Sequence, residues 1–393
     1  MSQVKFFRST DFGAPQLYGN AGYMIQVLDA CLVNGYGQQN IAAMTHSGGT
    51  VTVTTASSHG LSTYSRQTIA GANEAGYNGE FVITVINGIT FTYQASGITV
   101  DTATGTMTTK TGAAGWTKPF SGTNLAVYRG GSGLRHFYRF NDTVTIASRM
   151  LGYVDMTDVN TGTEPFPTNT QMSGGLYWQK STTADATNAK PWVIWADDKT
   201  MYMFVWYGVQ TLTYSDMCMM GLGEFISYRG GDQYASFVSA AHFSNSYSQM
   251  PFGFINTSVS ALLASAGSVN GMYAPRSYSQ VGTAVVLGKV ADYSKSSQTG
   301  IGYLGSLPYP HPVDGGLYMC PITIAEGGVV ASASVIRGVM RGVMNPLHNH
   351  PLSHYDIFEG NGDSIGKMFQ AISFCPSHAA LGQIFMDIST SWE

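Results

Sequence analysis

The stretch YNGEFVITVINGITFTY, residues 77–93, decides the fold class of this chain. On both sides of Asn87-Gly88, side chains that favour burial alternate with side chains that favour solvent. Alternation with a period of two is typical of a strand with one buried face, and Asn-Gly favours a type I′ hairpin turn because both central residues need a positive φ. The stretch therefore predicts a hairpin with strands at Glu80–Ile86 and Thr90–Gln94.

The same pattern extends outward from the hairpin over residues 42–111. Short runs rich in Thr and Val are separated by Gly-containing turns, and five or six strands within about 70 residues are typical of a small sandwich or barrel. Glycine-containing stretches at 35–37 and 112–115 bracket the segment, so we predict a module inserted into a surrounding domain. The remaining predicted strands are Thr50–Thr55, Thr68–Ile69 and Gly105–Lys110.

Five short motifs follow one another along this segment, namely Ser58-His-Gly-Leu, Ile69-Ala-Gly-Ala, Tyr77-Asn-Gly-Glu-Phe, Thr90-Phe-Thr-Tyr and Ala103-Thr-Gly-Thr. Together they resemble a small immunoglobulin-like module that recurs in virion proteins of tailed bacteriophages. This chain departs from the family pattern at Leu61, where an aromatic residue is usual, and at Arg66, where a polar turn residue is usual. The resemblance covers roughly a fifth of the chain, and it implies an immunoglobulin-like β-sandwich in a phage particle.

Four segments outside the module carry a second resemblance; they are Trp116–Arg129, Gly152–Gly162, Phe225–Asp232 and Ile388–Trp392. They are similar to tail or virion proteins of phages that have no characterised role. This resemblance also implies a structural protein of the particle, of the tail or baseplate type.

The rest of the chain predicts one helix and many strands. In residues 20–34, Met24, Val27, Leu28, Cys31 and Leu32 repeat with the spacing of one helix face. Aromatic strand candidates fill 116–245, a polar loop is predicted at 180–190, strands return at 315–393, and a short helix is predicted at Ser258–Ala266. The predicted fold is therefore mainly β: a core domain rich in β-sandwich or barrel structure (1–40 and 113–393, with a sub-boundary near 245–305), one short N-terminal helix, and the inserted immunoglobulin-like β-sandwich (42–111).

The composition favours permanent contact with other subunits. Charged residues make up only 11% of the chain, whereas it contains 47 Gly, 23 Tyr and 19 Met. Lys and Glu are depleted in interface cores because their desolvation is costly, and Tyr and Met are enriched there. We therefore predict a homo-oligomer whose partners are identical subunits and other virion proteins.

Charge and sequence also exclude several classes of partner. The net charge of −4 and the pI of about 6.1 provide no broad basic surface for nucleic acid. The N-terminus lacks the apolar core of a secretory signal, and no stretch reaches the 18 apolar residues of a membrane span. The four cysteines lack any CxxC spacing, so disulfides are not expected. We expect a protein made in the bacterial host cytoplasm and carried in the virion.

A search for catalytic motifs favours a protein that is not an enzyme. The segment 360–367 ends in Gly-Lys but lacks the other residues of a phosphate-binding loop. Nearby carboxylates (Asp356 with Glu359 and Asp363, Asp155 with Asp158, Asp197 with Asp198) lie in turn-like sequence, where such groups usually cap backbone N–H groups. Aromatic stripes at Tyr177-Trp178 and at Tyr202, Phe204 and Trp206 are typical of core or subunit contacts, with sugar stacking as the alternative.

The sharpest chemical cluster lies in the segment 346–354, which reads PLHNHPLSH. In an extended chain His348 and His350 share one face, and His354 falls on the same face, so the three imidazoles predict a metal site. The cluster locally resembles the His-x-His motif with which phage spike tips bind iron. The alternative is a Pro-bounded loop, since Pro351 interrupts the strand and the histidines can hydrogen-bond or face a neighbouring subunit. No other cofactor is predicted.

These observations lead to one functional prediction and two alternatives. We predict a structural protein of a tailed-phage particle that assembles in the tail, baseplate or neck as a ring-forming homo-oligomer, with the inserted module as a contact or adhesion arm. The first alternative is a head-decoration or fibre protein. The second is a tailspike that binds or cleaves host-surface glycan, which would make that glycan a further partner.

Overall fold

The computed structural model describes residues 3–208, 217–240, 271–289, 308–327, 335–348, 350–373, 383–389 and 391–392. Strands account for about half of the described residues and helical segments for about a twentieth, which confirms the prediction of a mainly β protein. In the described ranges, none of the helices has the length and apolar character needed to cross a membrane.

The predicted N-terminal helix is present and follows two short strands, β1 (Lys5–Arg8) and β2 (Leu17–Gly19). Helix α1 spans Tyr23–Leu28 and continues as a π-helical turn over Asp29–Asn34. The apolar face that the helical spacing predicts is buried along its whole length. Asp142 accepts the N–H of Met24 in the first turn, and Gly35, with a φ of 73°, ends the helical segment.

Residues 36–111 form a closed barrel of six strands in the order β3-β4-β7-β6-β5-β8. The sequence predicted either a small sandwich or a barrel, and the barrel is confirmed. The immunoglobulin-like character of this module stays a prediction. Strand β3 begins before the predicted module, so the boundary predicted at 40–42 falls inside it. The strands are β3 (Tyr36–Ser47), β4 (Thr50–Thr55), β5 (Arg66–Ala72), β6 (Gly79–Asn87), β7 (Thr90–Gln94) and β8 (Gly105–Thr111).

The predicted hairpin joins β6 to β7, but its turn differs from the predicted one. Asn87 pairs with Thr90, so the two loop residues are Gly88 and Ile89. The register shifts by one residue just before Asn87, and the Asn87 side-chain oxygen accepts the Ile89 N–H at 3.0 Å. Neither Asn87 nor Gly88 has a positive φ, so the type I′ prediction is wrong at this position.

The backbone expected of a type I′ turn occurs instead in the hairpin between β3 and β4. Its two loop residues, Gly48 and Gly49, have φ angles of 57° and 82°. A side chain at either position would meet no neighbouring atom, so the backbone conformation alone favours glycine there.

A second sheet follows the barrel, with the order β13-β12-β11-β10-β9 and with β14 also paired to β12. It contains the aromatic strands that the sequence predicts near residues 126–140 and 175–179. Its inner face packs with α1 against the large sheet described next. The strands are β9 (Thr117–Gly122), β10 (Leu125–Arg129), β11 (Phe137–Asn141), β12 (Ala147–Met156), β13 (Gly162–Phe166) and β14 (Leu176–Gln179).

The large sheet is antiparallel, with the order β1-β16-β17-β18-β20-β21-β22-β23-β24-β27-β26-β25 and with β19 paired to β24. The remaining strand, β15, pairs with β2 outside this sheet. The strands are β15 (Asp185–Lys190), β16 (Trp192–Ala196), β17 (Thr200–Trp206), β18 (Met217–Glu224), β19 (Ile226–Ser227), β20 (Ser236–Ala240), β21 (Gly271–Ala274), β22 (Val285–Lys289), β23 (Met319–Glu326), β24 (Val335–Pro346), β25 (Ile357–Glu359), β26 (Met368–Ser373) and β27 (Gln383–Asp387).

Strand β17 shows how both faces of the large sheet become buried. Met201 and Met203 face the core shared with α1 and the second sheet, while Tyr202 and Phe204 face a second core. That second core is formed largely by the two ends of the large sheet itself, which pack against each other; for example, the Tyr202 hydroxyl donates to the Arg341 carbonyl at 2.8 Å. A strand buried on both faces accounts for its nearly continuous run of large side chains.

A predicted loop and a predicted helix remain to be compared with the structure. The polar loop predicted at 180–190 is wrong in its second half, because Asp185–Lys190 forms β15 and pairs with β2. A polar sequence can form such an exposed edge strand without a periodic apolar signal. The helix predicted at Ser258–Ala266 lies outside the described residues, as does most of the region of the predicted sub-boundary near 245–305.

The barrel is fixed to the large sheet along β1. Arg66 of β5 donates from Nε to the Val4 carbonyl at 3.1 Å, and Lys5 is ion-paired with Glu80 of β6. Arg66, one of the two positions at which the sequence departs from the pattern of the resembled module, thus connects the barrel to the large sheet. A polar cleft of about 530 Å³ lies at this junction, and its lining includes these three charged side chains and Asp198.

Candidate functional site

The histidine-rich segment connects β24 to β25 and lies against the chain that leads into β23. Leu347 donates its N–H to the Tyr318 carbonyl at 2.9 Å, which holds the two stretches side by side. His348 and His350 are buried and His354 is partly buried, so this predicted metal-binding segment is not an exposed loop.

His348 is held between aromatic rings. Its Nδ1 lies 2.8 Å from the carbonyl oxygen of Pro308, and its ring stacks on Tyr318 with 5.7 Å between centroids. Tyr309 and His311 meet the same ring edge-on, at 6.3 and 6.1 Å. A carbonyl oxygen can only accept, so the contact with Pro308 places the proton of neutral His348 on Nδ1.

His350 and His354 have the opposite arrangement of protons. Nδ1 of His350 accepts the Leu352 N–H at 3.3 Å, and Nδ1 of His354 accepts the Ser373 N–H at 3.0 Å. Both neutral rings therefore carry their proton on Nε2. Burial lowers the pKa of His354 from 6.5 to about 4, which keeps that ring neutral.

The three predicted ligands contact different parts of the structure. His350 packs on Phe385 of β27, and His354 packs between Trp206 and its neighbour Tyr355, whereas His348 faces the segment before β23. Among the residues that the structure describes, no group of three or more His, Cys, Asp or Glu side chains is placed to hold a metal ion. A site formed by all three histidines stays a prediction.

His311 is the neighbour that the sequence did not single out. Its Nδ1 lies 2.8 Å from Asp314 Oδ1, and Asp314 also accepts the Gly316 N–H and the Tyr318 hydroxyl. These hydrogen bonds lower the pKa of Asp314 to about 2, so this carboxylate is ionised at neutral pH. The only sequence signal was a histidine three residues before an aspartate, far from the other histidines, which is too common a pattern to point to a site.

The carboxylates near β25 cap turns. Asp356 accepts the Ser353 N–H at 2.6 Å, and Glu359 accepts the Gly366 N–H at 3.2 Å. The segment 360–367, which fails as a phosphate-binding loop, connects β25 to β26 and is closed by the bond from Gly360 N–H to the Lys367 carbonyl at 2.9 Å. Each of these groups stabilises the loop in which it lies.

The other carboxylate pairs also have structural partners. Asp158 accepts the N–H groups of Asn160 and Thr161, and a hydrogen bond from the Thr161 side chain, together with these backbone bonds, lowers its pKa. Asp197 is buried and ion-paired with Arg341 at 2.8 Å, while Asp198 accepts the Ser132 hydroxyl at 2.7 Å. The described partners of these carboxylates are thus groups of the chain itself, as the turn-like sequence predicts for Asp158.

The aromatic stripes lie in the cores. Trp178, Tyr202 and Phe204 are fully buried and Trp206 nearly so, which leaves these rings no face for a sugar. Tyr177 is partly buried beneath Arg149, whose guanidinium carbon lies 3.7 Å from the ring centroid. The stripes therefore serve packing within the chain.

No family model matches the chain, and a search of the curated proteins gives no significant match.

Proposed function

We propose that the chain is a structural subunit of a tailed-bacteriophage particle, assembled by packing against identical copies and other virion proteins in the tail, baseplate or neck. The observation that carries the proposal is the set of five motifs at 58–106, which resemble a module of virion proteins. The chain is made in the bacterial host cytoplasm and becomes part of the virion.

The module motifs contact one another inside the barrel, which supports their interpretation as a folding unit. The Tyr93 hydroxyl donates to the Tyr77 carbonyl at 2.9 Å, and the Tyr77 hydroxyl donates to the Val100 carbonyl at 2.6 Å. Phe81 stacks on Tyr93 at 4.0 Å between centroids, and His59 meets Phe91 edge-on at 5.7 Å. We propose that this barrel is the immunoglobulin-like module of the phage family.

The outer surface of the barrel suits contact with another protein. Thr45, Thr52, Thr92 and Thr84 lie side by side across four neighbouring strands, with no charged side chain in the row. Beside them Ile86 is 61% exposed at the end of β6. A partner can cover such a surface without desolvating ions, which suits a module that acts as a contact arm.

The proposal is tested on phage particles purified from a lysate. We expect mass spectrometry to detect the chain in stoichiometric amounts and an electron-microscopy map to contain its barrel in the tail, baseplate or neck. Light scattering of the isolated protein should give an oligomer. A chain that is absent from particles and monodisperse as a monomer contradicts the proposal.

The same particles separate the alternatives. Location on the head or in a fibre supports the decoration or fibre alternative. Release of sugars from host polysaccharide that is lost in Asp356→Asn or Glu359→Gln supports the glycan-cleaving tailspike. We expect neither the wild type nor these two variants to release sugars from host polysaccharide, because both carboxylates accept backbone N–H groups of their own loops.

A further inference from the structure

The protonation pattern of four histidines separates two kinds of ring near β24. The rings of His350 and His354 accept a backbone N–H at Nδ1, so their proton lies on Nε2. The rings of His348 and His311 instead face oxygen acceptors at Nδ1, a carbonyl and a carboxylate. In their neutral forms, these two rings carry the lone pair on Nε2.

This second arrangement is the one that metal-binding histidines adopt. A ligating imidazole usually donates its other N–H to a carboxylate or a backbone carbonyl, which fixes the tautomer and the ring orientation. Asp314 provides the carboxylate for His311, and Pro308 provides the carbonyl for His348. Tyr318 connects the two rings' surroundings, because its own ring stacks on His348 while its hydroxyl donates to Asp314, the partner of His311.

The distance between the two rings fits one shared ion. An imidazole nitrogen binds zinc at about 2.0–2.1 Å, which places the centroids of two imidazoles on one ion roughly 5–6 Å apart. The centroids of His311 and His348 are 6.1 Å apart, and their planes meet at 81°. A small movement of His311, whose side chain is 27% exposed, would bring the two rings into that range.

We propose that His311 and His348 form a two-imidazole site for a divalent transition-metal ion such as Zn²⁺. Imidazole nitrogen suits Zn²⁺, Cu²⁺ and Ni²⁺ better than Mg²⁺ or Ca²⁺, which prefer oxygen. The site retains one member of the histidine cluster and replaces the other two with His311, and it does not depend on the proposed role in a virion.

Zn²⁺ titration of the full chain, prepared without a histidine tag, tests the site by calorimetry. We expect one ion per chain, and His311→Gln should weaken binding at least tenfold. Asp314→Asn should weaken it by about 10- to 100-fold, because Asp314 acts by positioning His311. His46→Gln, on the barrel strand β3, is the matched control and should bind as the wild type does.

A spectroscopic measurement distinguishes ligation from a general loss of structure. With Cu²⁺ as the probe, electron paramagnetic resonance should show two coupled nitrogens in the wild type and one in His311→Gln. Melting temperatures measured in EDTA show whether each variant is folded. His348→Gln should lose binding as His311→Gln does, and if the buried position makes His348→Gln unfold, His311→Gln and Asp314→Asn still test the site. Wild-type affinity in His311→Gln overturns the proposal. So does loss of binding in His350→Gln or His354→Gln with His311→Gln unaffected, which would restore the cluster of three.

Discussion

His136 lies between two aromatic rings, with Phe166 edge-on and Tyr234 stacked, and its Nδ1 is 2.8 Å from the Ser236 hydroxyl. Burial is the main cause that lowers its pKa from 6.5 to about 4, and the nearby Arg129 lowers it further. The carboxylates of Glu164 and Asp232 act in the opposite direction but do not compensate. The folded chain therefore holds this ring neutral at a pH where an exposed histidine is charged.

This shift predicts a pH dependence of stability with a definite sign. Between pH 6.5 and about 4 the unfolded chain binds a proton at His136 that the folded chain does not. The stability that the neutral ring contributes to the folded state is therefore fully present above pH 6.5 and is lost as the pH falls to about 4. The loss amounts to roughly 3 kcal/mol in the free energy of unfolding. Urea denaturation at pH 7 and pH 4 should show wild type losing this much more stability than His136→Asn. Equal losses in the two proteins contradict the prediction.

Single residues also mark where sequence reasoning stops. The helical repeat correctly identified Met24 and Leu28 as buried, because burial follows from periodicity. Strand alternation grouped His350 and His354 with His348, and this grouping stays a prediction because β24 ends at Pro346, before the three histidines. Hydrogen-bond partners such as Pro308 are distant in sequence, so no local pattern could have given the tautomers.

Among the elements, the hairpins of the barrel show how local signals and register interact. Asn87-Gly88 correctly predicted a hairpin between β6 and β7, and the flanking alternation correctly predicted its strands. The turn itself was not predictable, since a one-residue register shift inside β6 depends on pairing across the barrel. For the same reason β15 was missed, because it pairs with β2, which is distant in sequence.

The two hairpins predict responses of different size to a glycine-to-alanine substitution. Gly49→Ala should lower the free energy of unfolding by about 1 kcal/mol, because alanine is strained at a φ of 82°. Gly88→Ala should change it by less than about 0.5 kcal/mol, because its backbone is ordinary and the nearest atom to a new Cβ is Ser58 Oγ at 3.7 Å. Thermal or urea denaturation of the two variants checks the order. A larger cost at Gly88 would restore the type I′ turn there.

For the whole molecule, the barrel is placed so that its first and last strands meet. Tyr36 at the start of β3 is the register partner of Thr111 at the end of β8. The chain thus enters and leaves the barrel at adjacent points, while its status as an inserted module stays a prediction. The sequence could not predict the contacts of Arg66 and Lys5 that hold the barrel against β1.

This arrangement predicts that the core folds without the barrel. Replacing 38–109 by two glycines should give a soluble protein with a β-sheet circular dichroism spectrum and a lower Tm, because the contacts of Arg66 and Glu80 with the core are lost. Arg66→Met, which removes only the bond to Val4, should keep the barrel and lower Tm less. An aggregated deletion variant contradicts the prediction.

The attachment of the barrel along β1 also limits where another chain can add a strand to the large sheet. An edge strand normally exposes unpaired backbone N–H and C=O groups. Fibre formation and domain swapping occur when a strand of another chain pairs with these groups. Here Val4, Lys5 and Phe7 are buried, and Arg66 already occupies the Val4 carbonyl. A second chain that added a strand at this end would first have to displace the barrel, so we expect β1 not to template strand addition.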